Sequence, residues 1–250
     1  MSRFAILSAA LIVAGIVSGD VAAEPVAQPW RVDVGASHSD LSRGLDDWSS
    51  AIVAVGRRGA AGSVVGSVEW TRRFGREDVF FDLRADQRLG DADTWIALGG
   101  APDADHRPDI SVRGGLALPV SAKVTPFIDL GWSRYAVGDV RTVQPGIAVA
   151  DGPWTAAGRL IATWDERDDL RSGWSVRGGR ALTSRLTLQA SYADAPESSE
   201  GVTTEVQATG VDLIYLLDGD ALRGVRAGAV YEDRGLVTRT EFNVSAYRRF

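Results

Sequence analysis

The chain lacks cysteine altogether, contains only two histidines, and has no long apolar run after its N-terminal segment. The absence of cysteine excludes a lipid-modified N-terminal cysteine, disulfide bridges and any zinc site built from thiolates. The net charge of -6 also means that the chain lacks a basic excess. Because nucleic-acid phosphates are bound by basic surfaces, we expect no nucleic-acid partner.

The N-terminal segment has the organisation of a secretory signal peptide. Met1-Ser2-Arg3 is a short basic start, "FAILSAALIVAGIV" is the apolar run, and Val21 to Ala23 place small residues where signal peptidase cuts. The alternative is a membrane-spanning or buried helix, for which the run is short. We therefore predict that residues 1–23 are a cleaved signal peptide and that the mature chain, residues 24–250, is exported.

The mature chain alternates apolar and polar residues with the period of two that is typical of β-strands. In "EWTRRFGREDVFFDLRAD", Phe81 and Leu83 lie on one side and Asp82 on the other. The same pattern recurs in "WRVDVGAS", "SVVGSVEWTRR", "DISVRGGLAL", "WTAAGRLIATW", "RLTLQASY" and "EFNVSAYRRF". These segments predict about fourteen antiparallel strands, with twelve as the alternative. Pro145 predicts an irregularity or a break in strand pairing.

The connectors between these segments are expected to alternate between long and short. The long ones include "SHSDLSRGLDD", "RRFGRED", "GAPDADHRPD", "YAVGD", "WDERDDLRS" and "DAPESSEGVTT", and the short ones include "RLGDAD", "VSAK" and "TS". Antiparallel barrels of bacterial outer membranes have this asymmetry, with short periplasmic turns and longer external loops.

The tryptophans suggest that the solvent on the apolar side is lipid. Trp154 and Trp164 lie on the same side of one predicted strand. Ten residues span roughly 33 Å along a strand, or about 25 Å across a membrane after tilting, which is the height of a barrel's apolar band. We predict that all eight tryptophans form membrane girdles, namely Trp30, Trp48, Trp70, Trp95, Trp132, Trp154, Trp164 and Trp174.

These patterns together predict an all-β fold, a transmembrane antiparallel up-and-down β-barrel. The barrel must be closed, because an unpaired strand edge is not tolerated in hydrocarbon. We expect a monomer in the cell outer membrane, in contact with membrane lipid and lipopolysaccharide. The C-terminal Phe250, preceded by apolar residues at alternate positions, predicts an assembly signal for the barrel-assembly machinery. Arg248 interrupts that pattern near the rim, where its side chain can reach water.

Several stretches resemble the YaiO family of outer membrane proteins. They are "DDWSSAIVAVGRR", "SVEWTRRFGREDVFFDLRADQRLGDADTWIALGGAPD" and "GDVRTVQPGIAVADGPWTAAGRL", and the resemblance runs from about Leu45 to the C-terminus. The chain departs from the family's tyrosine-rich and Asp-x-Tyr-Pro features, in whose place it has only "ADQRLGDADTW". The resemblance implies a barrel of about twelve to fourteen strands and implies no particular reaction.

The polar side of the predicted strands supplies the candidate functional residues. By alternation it includes a lumen-lining set of Glu69, Arg73, Asp82, Arg84, Asp86, Arg113, Asp129, Arg159 and Arg177. One interpretation is a charged lumen that passes or binds a small polar solute. The other is a lumen closed by paired arginines and carboxylates, which would satisfy one another's charge.

We find no catalytic, cofactor-binding or metal-binding motif, and we expect that the protein is not an enzyme. His38 adjoins Ser39, but neighbouring strand residues face opposite ways, and His106 has no serine at a telling position. The acidic segment "WDERDDLRS" could hold calcium or bridge lipopolysaccharide phosphates, but it lacks regular ligand spacing and is better explained as a solvated loop.

Three functions therefore remain open for an outer membrane barrel of unassigned role. The preferred one is a narrow channel for small polar solutes. The second is a structural or interaction barrel with a plugged lumen that acts through its outer loops. The third is a lipid-modifying enzyme of the outer membrane, which would depend on His38 or His106.

Overall fold

The computed structural model describes residues 29–199, 202–219 and 221–250 as a closed antiparallel barrel of fourteen strands. Each strand pairs with its neighbours in the sequence, and the first strand pairs with the last to close the barrel. The predicted up-and-down architecture and the count of fourteen strands are confirmed. The predicted signal peptide, residues 1–23, lies outside the described residues. None of the helices in the described part of the chain is long and apolar enough to span a membrane.

In the described part of the chain the strands follow one another with a single short 3-10 turn, Ser42–Gly44, between the first two. Their bounds are β1 Trp30–Leu41, β2 Trp48–Arg58, β3 Gly62–Arg73, β4 Arg76–Leu89, β5 Ala92–Gly100, β6 Ile110–Ala117, β7 Val124–Tyr135, β8 Gly138–Asp151, β9 Trp154–Trp164, β10 Leu170–Ala181, β11 Leu186–Ser199, β12 Val202–Leu216, β13 Arg223–Asp233 and β14 Thr238–Arg249.

The alternation in the sequence sets the direction of each side chain. Phe80 and Phe81 are neighbours of the same residue type, yet Phe80 is 7% exposed and Phe81 is 49% exposed. Leu83, on the side of Phe81, is also exposed, whereas Asp82 faces the interior and pairs with a residue two strands away. The exterior is therefore an apolar belt, as a hydrocarbon-facing surface requires.

The two ends of the barrel differ less in their connectors than the sequence suggests. We call the end that holds the longest connector, residues 101–109, the outer end, and the end where β1 begins and β14 ends the inner end. The expectation of long external loops is wrong for most hairpins. "RRFGRED" turns at Phe74 and Gly75, which both have positive φ, and β11 continues through most of "DAPESSEGVTT". The polar residues of these segments continue the alternation of the strands, and the strands therefore extend into segments that were predicted to be loops.

The predicted break at Pro145 is confirmed on one side of β8. Val143 pairs with Ala162 and Gly146 pairs with Arg159, but the ladder to β9 skips the two residues between them. On the other side, Pro145 stays opposite Ile128 of β7. This arrangement follows from the missing N–H of proline, which leaves one ladder without a donor.

The seam of the barrel joins the first strand to the last. The N–H of Phe250 donates to the carbonyl of Trp30 at 2.9 Å, and the N–H of Trp30 donates back at 3.3 Å. Arg248 lies with its guanidinium carbon 5.1 Å from the centre of the Phe250 ring. The role of Phe250 as an assembly signal stays a prediction.

The buried side chains are concentrated at the outer end. They lie on β1–β6, β8, β9 and β12–β14 and on the connectors above them, so they form a packed layer around most of the barrel. We call this packed end the outer layer. Below it, the inward side chains are partly exposed. The fold therefore places a solvated polar lumen beneath a packed outer mouth.

Candidate functional site: the lumen and its outer mouth

Three pairs of aspartate and arginine line the middle of the lumen. Asp82 on β4 pairs with Arg113 on β6. Asp129 on β7 pairs with Arg159 on β9 at 3.3 Å. In each of these two pairs the partners are separated by a whole strand. Side chains can meet over an intervening strand on the concave side of a sheet, which places both pairs in the lumen.

The third pair joins neighbouring strands. Arg226 on β13 donates from Nε and Nη2 to the two carboxylate oxygens of Asp212 on β12, at 2.9 and 2.7 Å. Such a two-point contact fixes the guanidinium plane as well as its position. Neither residue belongs to the predicted lumen set, because the strand around Asp212 has a weak pattern in the sequence.

Each aspartate of these pairs lies against a glycine of an adjacent strand. A Cβ atom at Gly115 would collide with Asp129 Oδ1, and one at Gly228 would collide with Asp212 Oδ1. A Cβ atom at Gly99 would lie 2.9 Å from an oxygen of Asp82. Glycine at these positions lets the carboxylates lie flat against the wall, which keeps the centre of the lumen free for water.

Trp95 faces the lumen beside these ion pairs, so its prediction as a girdle residue is wrong. Its Nε1–H donates to Asp129 Oδ1 at 3.2 Å, and the guanidinium of Arg84 lies 4.3 Å from its ring centre. Arg84 in turn donates to Asp86 on the same face of β4. Trp95 alternates with the exposed Ile96, which occupies the lipid side in its place.

Arg177 differs from Arg84, Arg113 and Arg159 of the predicted set, which form ion pairs. Among the described residues it forms no ion pair, and the charges of Arg159 and Arg226 act on it from the two sides. Three arginines on β9, β10 and β13 therefore share this part of the lumen with Asp212. The wall here carries more positive than negative charge.

Trp48 lies at the centre of the outer layer, so its prediction as a girdle residue is also wrong. It is 2% exposed and packs with Leu41 and Val237. The guanidinium carbons of three arginines lie over its ring at 4.9, 5.6 and 5.2 Å, namely those of Arg73, Arg234 and Arg239. Trp48 pairs with the inward-facing Ser39 in the β-ladder, and this register turns the indole into the barrel.

Ion pairs extend the outer layer across the mouth. Glu232 accepts hydrogen bonds from Arg234 and Arg239, and the three side chains are 1–2% exposed. Arg234 also donates to Glu197 of β11 at 3.0 Å while it lies over Trp48 of β2. Strands β11 and β2 lie five positions apart around the barrel, so this chain of contacts bridges distant parts of the wall. Loss of one partner would leave a buried charge, at a cost of about 3–5 kcal/mol.

The connector of residues 101–109, which we call the mouth loop, folds into the remaining part of the opening. Its Arg107 forms an ion pair with Glu69 on the inner wall and lies 5.2 Å from the Phe80 ring centre. Asp78 of β4 fastens the loop, since its carboxylate accepts the backbone N–H groups of residues 105, 106 and 107 at 2.8, 2.9 and 2.7 Å.

The side chain of His106, in the mouth loop, lies between Thr71 and Asp78. Its Nε2 is 2.8 Å from the Thr71 hydroxyl, and its Nδ1 is 3.2 Å from Asp78 Oδ2. Burial and the positive charge of Arg73 lower the pKa of His106 to about 4, so the imidazole is neutral at pH 7. A hydroxyl, an imidazole and a carboxylate in this order resemble a nucleophile relay. The three residues are 2–3% exposed, so the arrangement holds the loop in place and offers no access to a substrate.

His38, the other histidine, lies on the exterior. It is exposed beside Asp40 and Asp47, whereas Ser39 faces inward and donates to Glu241 at 3.3 Å. The two neighbours thus point to opposite faces, as the strand alternation requires. The absence of enzymatic activity stays a prediction.

The remaining six predicted girdle tryptophans share the side of the apolar belt. Trp30, Trp154 and Trp174 are exposed. Trp70 and Trp132 donate from Nε1 to acidic side chains, Glu77 and Asp139, at 3.2 and 3.1 Å. Trp164 is partly exposed on the side of Leu160. Their contact with lipid stays a prediction.

In the acidic segment after β9, the carboxylate of Asp165 binds groups of its own loop. The carboxylate of Asp165 accepts the N–H groups of Arg167 and Asp169 at 3.0 and 2.9 Å and a hydrogen bond from Arg171 at 3.2 Å. These contacts use the oxygens that a cation would need. They support the interpretation as a loop over that of a calcium site.

The closed strand order, the apolar exterior and the charged lumen define an outer membrane β-barrel. Residues 30–139 match the family model described as YaiO membrane beta barrel domain, which confirms the predicted family resemblance over this part of the chain. The stretch "GDVRTVQPGIAVADGPWTAAGRL" lies almost entirely beyond the matched residues. None of the curated proteins matches the sequence.

Solved structures of outer membrane proteins share the fold. The CymD monoaromatic hydrocarbon channel is 10% identical over 89% of both chains, with a TM-score of 0.62. A bacterial polysaccharide outer membrane secretin is 9% identical over 89% of this chain and 99% of that one, with a TM-score of 0.61. The Acinetobacter baumannii outer membrane protein Omp33 is 11% identical over 89% of this chain and 98% of that one, with a TM-score of 0.58. At these identities the similarity establishes the fold alone.

Proposed function

We propose that this protein is a narrow channel for small polar solutes, closed at its outer mouth in the conformation described. The observation that carries the proposal is the gradient of exposure along the lumen. Charged side chains of the ion pairs at mid-height are 15–28% exposed. Arg31 and Asp33 near the inner end are 42% and 33% exposed, whereas Glu232, Arg234 and Arg239 in the outer layer are 1–2% exposed. A lumen that only filled space would have no need of a solvated charged wall.

The chemistry of the wall favours polar solutes over apolar ones. Most of its charges are paired, so each solute must exchange its hydration for hydrogen bonds with fixed arginines and carboxylates. The positive excess around Arg177 favours solutes with a carboxylate or phosphate group. Aspartates such as Asp212 lie within the same part of the wall, and this mixture of signs limits the selectivity.

The mouth loop is the element best suited to open the lumen. The strands on each side are locked by continuous ladders, whereas the loop is held by the Asp78 carboxylate and by the ion pair between Arg107 and Glu69. Loops held by a few polar contacts open at a lower free energy than paired strands do.

The test is a recording of ionic current from residues 24–250 refolded into a planar bilayer. We compare the parent with a variant in which residues 102–107 are replaced by a short Gly-Ser linker. A matched control shortens residues 166–168, in another outer loop. We expect rare or brief openings of the parent and of the control, and steady current from the mouth-loop variant. Heat-modifiable gel mobility verifies folding in each case.

A permanently plugged barrel is the second candidate, favoured by the ion pairs around Trp48 that continue across the mouth. It predicts that the mouth-loop variant folds and remains silent. In that outcome the channel proposal is rejected, and the outer loops become the functional surface.

A further inference from the structure

A histidine and two aspartates converge on the exterior of the barrel at its outer rim. His38 and Asp40 are on the same face of β1, and Asp47 immediately precedes β2. One ligand atom from each residue lies within 4.8 Å of the other two. These three residues, which we call the rim triad, lie on the opposite side of the barrel wall from the lumen.

The spacing of the rim triad suits a shared cation. The Nε2 atom of His38 is 3.4 Å from Asp40 Oδ1 and 3.7 Å from Asp47 Oδ2. Both distances exceed the usual range of an N–H···O hydrogen bond, about 2.7–3.2 Å. A tetrahedral zinc ion has ligands at about 2.0–2.2 Å, which separates neighbouring ligand atoms by about 3.3–3.6 Å. The imidazole and the carboxylates therefore have nearly the separation that a metal between them would impose.

Packing on the other side of the wall fixes the positions of both aspartates. Leu41 and Trp48 are buried in the outer layer, so Asp40 and Asp47, their neighbours in the sequence, are directed outward. The turn between them contains Arg43 and Gly44 at positive φ, and Ser42 Oγ accepts the N–H of Thr238 at 2.9 Å. A preorganised ligand set loses less conformational entropy when it binds an ion.

The charge of the rim triad is uncompensated. Among the described residues, no arginine or lysine forms an ion pair with Asp40 or Asp47, which contact His38 instead. Other outer-rim acids do find arginines, such as Asp139 with Arg134. The two carboxylates carry two negative charges, which a divalent cation would neutralise.

We propose that the rim triad is a binding site for a divalent transition-metal cation of the zinc type. Imidazole nitrogen selects such ions over calcium and magnesium, which prefer oxygen ligands alone. Three protein ligands leave one position of a tetrahedral ion open toward the surroundings of the barrel. The site fastens the turn between β1 and β2 to β1, independently of the state of the lumen.

The test is a calorimetric titration of the refolded, untagged barrel with zinc chloride, followed by cobalt(II) absorption. We expect saturable binding of one ion per chain and the visible spectrum of tetrahedral cobalt. His38→Ala and Asp47→Asn should each abolish this binding. Asp168→Asn, an exposed carboxylate on another outer loop, should leave it unchanged.

The controls separate a built site from a charged surface. Gel mobility and conductance of the His38→Ala and Asp47→Asn variants should match those of the parent, because the rim triad lies outside the lumen. Calcium in large excess should not compete. Unchanged zinc binding by His38→Ala, equal competition by calcium, or absence of saturable binding would each overturn the proposal.

Discussion

The carboxylate of Asp78 lies 3.2 Å from Nδ1 of His106 and binds the backbone of the loop that carries this histidine. A residue of the barrel wall thus holds the one long connector of the outer end inside the mouth. Hydrogen bonds to a charged acceptor contribute about 1.5–3 kcal/mol each. Since Asp78 accepts three backbone N–H groups, much of the stability of the closed loop depends on a single side chain.

Replacement of Asp78 by alanine should release the mouth loop. We expect the closed loop to lose at least about 3 kcal/mol, because several charge-assisted hydrogen bonds disappear together. The measurement is hydrogen exchange of residues 101–109 at constant pH. Asp165→Ala is the matched control, since Asp165 binds the N–H groups of its own loop. Slow exchange of the mouth loop in Asp78→Ala would contradict the assigned role.

Acidification should open the mouth loop between about pH 6.5 and pH 4. The pKa of His106 is lowered from 6.5 to about 4 in the closed state by burial and by the charge of Arg73. The imidazole of a released loop takes up a proton near pH 6.5, whereas that of the closed loop does so only near pH 4. The closed state is therefore most stable above pH 6.5 and loses stability as the pH falls. The full effect is about 3 kcal/mol. Besides Arg73, the groups that face His106 are Thr71, Asp78, Arg76 and Arg107.

The lack of cysteine allows a clean measurement of this transition. A nitroxide attached through Ala104→Cys should become mobile as the pH falls. The variant His106→Gln cannot take up the proton, so it should lose the pH dependence over this window. A parent protein whose label mobility stays constant from pH 7 to pH 4 would show that the histidine does not control the loop.

Substitution of Gly228 by alanine should destabilise the barrel and disturb a lumen pair. The added Cβ atom collides with Asp212 Oδ1 and displaces this carboxylate from Arg226. Overpacking of this kind costs about 1–3 kcal/mol. Gly66→Ala on β3 is the control, since its Cβ atom meets nothing within 4 Å. The midpoint of urea unfolding in lipid should fall for Gly228→Ala and remain unchanged or rise for Gly66→Ala.

Neutralisation of Arg177 should reduce the preference of the lumen for anions. The interaction of one exposed charge with a passing ion at 4 Å is about 1 kcal/mol, which corresponds to a permeability ratio about fivefold lower. The reversal potential of the conducting mouth-loop variant in a salt gradient measures this ratio. Arg180→Gln removes the same charge from the same strand, but there the side chain lies over the exposed Trp154. Equal shifts in both variants would exclude a lumen effect.

Brominated lipids should distinguish the two inward tryptophans from the exposed ones. We expect Trp48→Phe and Trp95→Phe to raise the quenched fraction of the total fluorescence, because each removes a protected indole. Trp154→Phe should lower it, since Trp154 is 55% exposed on the apolar side. A lower quenched fraction after Trp48→Phe would show that Trp48 contacts lipid, as the sequence predicts for a girdle residue.

The architecture was predictable because side-chain direction on a strand follows directly from alternation. The inward direction of Trp95 was also predictable from the sequence, since Trp95 alternates with the apolar Ile96 and shares its side of the strand with the small Ala97. Trp48 gave no such signal, because Ile52 and Val53 make both sides of β2 apolar. The outer layer could not be predicted, since it depends on contacts of Trp48 with Arg234, a residue far along the chain.

The position of the outer layer has an electrical consequence. In the proposed channel, water in the inner part of the lumen would carry ions, so a voltage applied across the membrane would fall mainly across the packed outer layer at the other end. A full membrane crossing is worth about 2.3 kcal/mol per elementary charge at 100 mV. The guanidinium groups of Arg73, Arg107, Arg234 and Arg239 stand where that field is strongest, together with the carboxylates of Glu69 and Glu232 that pair with three of them. The sign of the voltage should therefore bias the mouth loop, and the two faces of the protein should respond to it unequally.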